Sequence, residues 1–385
     1  MMSAFRVRGA IRSWILRSFL VVAALALTGL LAACGSSNND SSTGTASGPA
    51  TKPASGAPSW CGSKPITLGI QDGGGANGWS KESLNQVKLE AAKCPSVKKT
   101  IVVNAGFDVQ KAISGLNGLV AQGANAVVII PDAGGPAELP GIRQAAARGV
   151  KVVPWGANPT GSPGKDYATY VDWDPEAAGG LSAEWLVKQL GGKGNIVHLG
   201  GPAGNAVDAG ELKGAAAVFA KNPGVKLLTD TKNWPVTNWD PAQSRKVMAG
   251  LLTKYPKIDG LLMSDGQAAA AVVKVFEDAG RKVPAIATLE ANQLGCLWKA
   301  NKGGKNAFPL ATISARNWLG RVAVRKAVAA VNGLPQTDKS IVALPLYEDS
   351  TAGADLAPKC DPNRPPDAFL SNSEPDSVLD ALVAG

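Results

Sequence analysis

The sequence predicts an α/β protein of two lobes, each a parallel sheet flanked by helices, and three observations carry that reading. Short β-branched runs alternate with amphipathic stretches of helical length, the pattern of parallel strands joined by crossover helices. The alternation breaks at a Gly- and Pro-rich stretch over residues 156–164 and then resumes. The halves also echo one another in spacing. Asp108 opens a helix leading into a strand that ends at Asp132, and Asp240 opens one leading to Asp265, spacings of 24 and 25 residues. An Asp just ahead of a helix is a good cap, because its carboxylate accepts the unpaired N–H groups of the first turn.

Strands are expected at Ile66–Gln71, Thr100–Asn104, Ala126–Ile130 and Val150–Trp155, separated by helices at Ser80–Lys93, Asp108–Gln122 and Ala137–Arg148. Runs such as Ala126-Val-Val-Ile-Ile130 are apolar on both faces, as a strand covered by helices on both sides requires. In the second half, strands are expected at Asn195–Leu199, Val225–Thr229, Ile258–Ser264 and Ala285–Leu289.

Ahead of this body, Arg6, Arg8, Arg12 and Arg17 precede an apolar run, Phe19–Leu31, that ends in Leu31-Ala-Ala-Cys34. The run is shorter than the about 20 residues that span a bilayer, and its basic flank and small residues mark an export signal over residues 1–33. The tetrad resembles the lipobox of bacterial lipoproteins. That resemblance implies cleavage before Cys34 and a diacylglyceryl thioether on its sulfur, a lipid anchor to the cell membrane. Residues 34–59 then form a linker of Gly, Ser, Asn, Thr, Ala and Pro, too polar to offset the cost of ordering. The folded body starts near Trp60, and its about 325 residues suit two lobes better than one core.

The 385-residue chain carries 39 basic and 30 acidic residues, a net +9, but without the signal arginines the balance is +5. Lysines such as Lys98, Lys99, Lys302 and Lys305 are scattered, so no nucleic-acid stripe is expected. With Cys34 set aside, Cys61, Cys94, Cys296 and Cys360 form an even set in an exported chain, which favours two disulfides over free thiols. Three pairings are open, and chain order favours Cys61 with Cys94 and Cys296 with Cys360. None has zinc spacing and His198 is the single histidine, so neither a metal nor a cofactor is expected.

Open parallel sheets bind ligands beyond the carboxyl ends of their strands, which makes the residues after each strand the pocket candidates. They are Asp72 with Asn77 and Trp79, Asp132, Trp155 with Asn158, Asp208 on the loop after His198, Asp265 with Gln267, Glu290 with Asn292, and Arg316 with Asn317. Trp239 joins them from just ahead of a second-lobe helix. Carboxylates and amides make several fixed hydrogen bonds to neighbouring hydroxyls, and an indole face packs on the C–H face of a sugar ring. A strand-end Asp often only caps a helix, so Asp132 is set apart from the site. Trp185 and Trp298 lie within helical patterns and read as core, and His198 reads as a core histidine in a strand.

Over roughly Ile66 to Tyr347 these features resemble the type I periplasmic binding proteins of the ribose-binding kind, the solute receptors of ABC importers. The marks are Ile66-Thr-Leu-Gly-Ile-Gln-Asp72 with Trp79, Val152-Val-Pro-Trp155, Trp239-Asp-Pro, Leu261-Leu-Met-Ser-Asp265, Ala287-Thr-Leu-Glu290 and Leu310-Ala-Thr-Ile-Ser-Ala-Arg316. The resemblance implies two Rossmann-like lobes joined by a three-strand hinge, with crossings near Tyr170–Asp174, Ala315–Trp318 and Ser340–Leu344. It divides the body into an N-terminal lobe of 60–171 plus 316–341 and a C-terminal lobe of 172–315 plus 342–385. It also implies that Trp79 and Trp239 sandwich a sugar and that Asp265 and Glu290 bind its hydroxyls. An Asp-Arg pair of the family is replaced near Trp155-Gly-Ala-Asn158, and a second-lobe arginine falls around Glu211, with Arg316 a substitute cation from elsewhere. The ligand set expected is therefore Asp72, Asn77, Trp79, Trp155, Asn158, Asp208, Trp239, Asp265, Glu290 and Arg316, in a monomer that hands a small sugar to an ABC permease without catalysis.

Two other classes are weighed against this. A sensory receptor of the same fold would report its ligand to a membrane partner, and sequence does not separate the two. Gly73-Gly-Gly-Ala-Asn-Gly78 satisfies the dinucleotide fingerprint of an NAD-dependent enzyme, but the strand after it ends Val103-Asn-Ala105, without the acid that holds the ribose. No Gly-x-Ser-x-Gly elbow is present to build a hydrolase.

Overall fold

The computed structural model describes residues 56–75 and 77–384. The expected signal, Cys34 and most of the linker lie outside the described residues.

The first sheet contains β1 (Ile66–Asp72), β2 (Val97–Asn104), β3 (Ala126–Ile130) and β4 (Lys151–Pro154), all parallel, in the order β2-β1-β3-β4. Helices α1 (Gly78–Ala92), α2 (Val109–Ala121) and α3 (Leu139–Ala147) connect them. Strand β3 is buried at every residue, as its unbroken apolar run requires. Asp108 caps α2 by accepting from Gln110 and Lys111 N–H, as the sequence predicts.

The chain leaves this lobe through β5 (Asp172–Trp173) and α4 (Pro175–Gln189). It then builds β6 (Gly194–Leu199), α5 (Ala206–Lys221), β7 (Val225–Leu227), α6 (Pro241–Lys254), β8 (Gly260–Met263), α7 (Gly266–Asp278), β9 (Ala285–Leu289), α8 (Asn292–Asn301) and β10 (Leu310–Ile313). After β10 it returns through Arg316 to α9 (Leu319–Asn332), which packs on α1 and the first sheet. Strand β11 (Ile341–Val342) pairs in parallel with β5, so two crossings run side by side. Strand β12 (Leu346–Asp349) then completes a six-stranded sheet, β12-β10-β9-β8-β6-β7, antiparallel only at its β12 edge.

The disulfides are Cys61–Cys94 and Cys296–Cys360, one on each sheet's helical layer. The last helix, α10 (Asp376–Val383), differs from the expected assignment of 342–385 to the second lobe. Its Leu379 and Val383 join the core that contains Trp318 and Val322, and its Asp376 pairs with Lys93 and Arg321 while Asp380 pairs with Arg325. The apolar face of this final helix packs beside Trp318 and α9, and Lys93, Arg321 and Arg325 set three cations opposite its two acids.

Candidate functional site

A cavity partly open to solvent lies where the carboxyl ends of both sheets converge. Five of the ten predicted ligand residues line it: Asn77, Trp79, Trp239, Asp265 and Arg316. Asp132, set apart as a cap, lines it as well, together with Ser264, Val207, Leu289 and Phe369.

The two indoles come from opposite lobes. Trp79 sits in the first turn of α1, which Asn77 caps by accepting from Ser80 N–H, and its Nε1 donates to Ala315 O at 2.7 Å on the crossing segment. Trp239 precedes α6, which Asp240 caps through Gln243 N–H. Its backbone is left-handed, with φ 51°, and its ring lies so close over Gly201 that any Cβ there would fall 2.1 Å from Cε2. Trp239 Nε1 donates to Ser264 Oγ at 2.8 Å, and Ser264 Oγ donates to Asp208 Oδ1 at 2.6 Å.

Asp208 therefore supports the site instead of lining it. It belongs to the first turn of α5, not to a loop as expected, and its carboxylate also accepts from Gly201 N–H and Asn205 Nδ2. His198 Nε2 lies 3.3 Å away with both partners fully buried. Burial opposes the Asp208 charge, but His198 and the donors from Ser264 and Asn205 outweigh it and hold the carboxyl below its usual value.

Arg316 is 4% exposed, and its Nε and Nη1 have no hydrogen-bond partner. Its guanidinium lies 3.9 Å from the Trp173 ring centroid, a cation–π contact in a desolvated setting. Burial lowers its pKa, while the nearby carboxylates of Glu211, Asp172 and Asp208 pull it up. The substitute cation thus faces the acid, Glu211, that stands near the expected arginine position. Its own backbone is left-handed at φ 58°, so two cavity residues hold an unfavourable conformation, as functional sites commonly do.

Asp132 keeps a buried Oδ1 without a partner. A Cβ on Gly73 would meet that oxygen at 1.7 Å, so only glycine fits beneath it. Burial, with Asp72 and Glu138 close by, raises the Asp132 pKa well above the usual value. Asp265 caps α7 by accepting from Ala268 N–H, and burial pushes its pKa up to about 7.

The remaining predicted ligand residues are placed elsewhere. Asp72 is buried behind the glycine loop, accepting from Gly74 N–H. Trp155 is 1% exposed and backs Trp79 at a ring separation of 5.9 Å, so it supports the site from the core. Asn158 is exposed and accepts from Thr160 N–H in a turn. Glu290 is occupied by Leu370 N–H at 2.8 Å, Ser371 N–H at 3.0 Å and the Ser371 hydroxyl, donors that a strand-end reading has no means of seeing. Phe369 was missed entirely, because it lies beyond the last periodic element.

The profile of the family described as "Periplasmic binding protein domain" matches residues 73–334. Among curated proteins, the chain is 32% identical over 183 residues to the xylitol-binding protein of Mycolicibacterium smegmatis, covering 46% of this chain and 49% of that one. It is 28% identical over 165 residues to the galactofuranose-binding protein of Escherichia coli, covering 43% and 51%. The chain thus spans about half the length of the curated relatives it matches. Among solved structures, an ABC transporter solute binding protein from Mycobacterium smegmatis with bound glycerol superposes with a TM-score of 0.64 at 20% identity, covering 77% of this chain and all of that one. The match of the family profile across most of the folded body, on a fold of two parallel sheets meeting at a cleft, makes this chain a member of the periplasmic binding protein family.

Proposed function

We propose that the chain is a non-catalytic extracytoplasmic receptor, anchored through lipidated Cys34, that captures one small neutral sugar or polyol between its lobes and delivers it, as a monomer, to an ABC permease. The observation that carries this reading is the cavity's lining: indoles from opposite lobes, with the unpartnered Arg316 Nε and Nη1 and Asp132 Oδ1 between apolar walls. Aromatic faces with a few unsatisfied donors and acceptors suit a ring of hydroxyls. The buried Arg316 guanidinium at the cavity favours a neutral ligand over a polyamine. Relatives named for xylitol and galactofuranose support the same class. Each lobe contributes contacts, so ligand favours the closed form over the open one by what those contacts add.

A thermal-shift and calorimetric screen of residues 60–385 against pentoses, hexoses, polyols, nucleosides and polyamines tests the reading, since ligand raises stability by mass action. Stabilisation by a sugar or polyol is expected. Stabilisation by polyamines or nucleosides alone would overturn the ligand class while leaving the fold.

A further inference from the structure

The family profile ends at residue 334, yet the chain continues into a strap that passes over the second lobe and finishes on the first. The strap is rooted on α8 by Cys296–Cys360. From there it is tied down at successive residues. Asn292 Nδ2 donates to Asp361 O at 2.9 Å, Gln293 N–H to Pro366 O at 2.9 Å, Gln267 Nε2 to Asp367 O at 3.0 Å and Asn292 N–H to Ala368 O at 2.9 Å. On the far side, Glu290 accepts from Leu370 and Ser371 N–H. The residue between these ties is Phe369, 4% exposed, packed into the second-lobe core and forming part of the cavity wall. Asn372 then accepts from Trp318 N–H at 3.1 Å and donates to Asn317 Oδ1 at 2.9 Å, while Asn317 Nδ2 donates to Trp79 O at 2.8 Å.

We infer that Phe369 is a specificity-determining residue: the strap holds its ring as a fixed wall of the cleft, which restricts the ligand to a single sugar ring or a polyol of similar size. The inference deepens the proposed function and rests on it. A side chain whose backbone is fixed on both sides cannot swing away to admit a second ring, and a wall of this kind discriminates by size. Glu290 acts here as a positioning residue, holding the wall and not the ligand.

The test compares the parent chain with Phe369→Ala by calorimetry on D-xylose, D-galactose, xylitol, myo-inositol, lactose and cellobiose. Phe369→Ala is expected to weaken the preferred single-ring ligand or polyol about tenfold and to admit a disaccharide that the parent rejects. Unchanged affinity and ranking in a folded Phe369→Ala chain would overturn the inference. Should that variant fail to fold, Phe369→Leu decides, with a loss of about threefold and measurable disaccharide binding expected, and an unchanged profile overturning it. A parent chain that answers only to nucleosides or polyamines overturns the sugar reading instead. The same variants, measured on that ligand and a bulkier congener, still decide the role of the wall.

Discussion

The two walls of the cleft are built from matching strand ends, yet they are finished differently. On the second-lobe wall, Trp239, Ser264, Asp208 and His198 form a connected polar chain, and Asp265 spends one oxygen capping α7. On the first-lobe wall, Asp132 occupies the corresponding strand end but leaves Oδ1 unpartnered, and Trp79 is held from outside its lobe by Ala315 O. The side chains of the second-lobe wall that face the cavity, Trp239, Ser264 and Asp265, all have protein partners, and its unpartnered atoms, on His198 and Glu211, lie behind it. The other keeps an open hydrogen-bonding capacity that a ligand can fill.

The largest effect that sharpens this contrast is expected from the indoles. Trp239→Ala should weaken ligand binding about a hundredfold, worth roughly 2–3 kcal/mol, while the melting temperature stays near the parent's. Trp79→Ala should weaken binding comparably but also lower the melting temperature, because Trp79 packs on Trp155 and ties α1 to the crossing. Equal melting temperatures in the two variants would break the comparison.

Next in size is the support beneath each lobe. Removing Cys61–Cys94 by paired Ala substitution should cost roughly 2–4 kcal/mol in denaturant unfolding without changing which ligand is preferred, since neither residue lines the cavity. A changed ligand ranking would show that the helical layer communicates with the wall. Glu290→Gln should cost about 1–3 kcal/mol, because an amide cannot accept from all the donors that now converge on the carboxylate.

The last effect is a pH dependence, read as a slope and not as a single loss. Asp265 and Glu138 titrate near 7 in the folded chain, above their ordinary values of 3.8 and 4.5, so the folded state binds more protons than the unfolded state between about pH 4 and 7. Their contribution is fully present below the unfolded values and is lost as pH rises towards 7. Asp265 feels the like charge of Asp208 and the opposing one of Arg316. Asp265→Asn keeps an oxygen for the α7 cap and should flatten part of the decline in melting temperature between pH 5 and 7.5. An unaltered slope would remove Asp265 from that account.

Much of this was legible in the sequence where one local signal decided the outcome. Ala126–Ile130 and Ala285–Leu289 are strands with the expected bounds, because short, almost wholly apolar runs are buried on both faces. Trp79 and Trp239, singled out by residue type at a strand end or helix start, both line the cavity. Asp132 was not singled out, since capping and ligand-facing Asp residues look the same in sequence and only the missing partner separates them. Glu290 does not line the cavity, and its donors, about 80 residues further on, are beyond what a local pattern can register. Trp155 lies behind Trp79 because a strand-end residue can face α9 as readily as the cleft, and Phe369 escaped notice because irregular chain has no period to read.

Arg316 stands at two places at once, on a crossing and at the cavity. It sits on a crossing between β10 and α9, in a left-handed backbone conformation, and its guanidinium borders the cavity. Any rotation of one lobe against the other must twist the crossings, so torque there reaches this side chain directly. On the proposed function, a ligand that meets this guanidinium would act on the crossing itself.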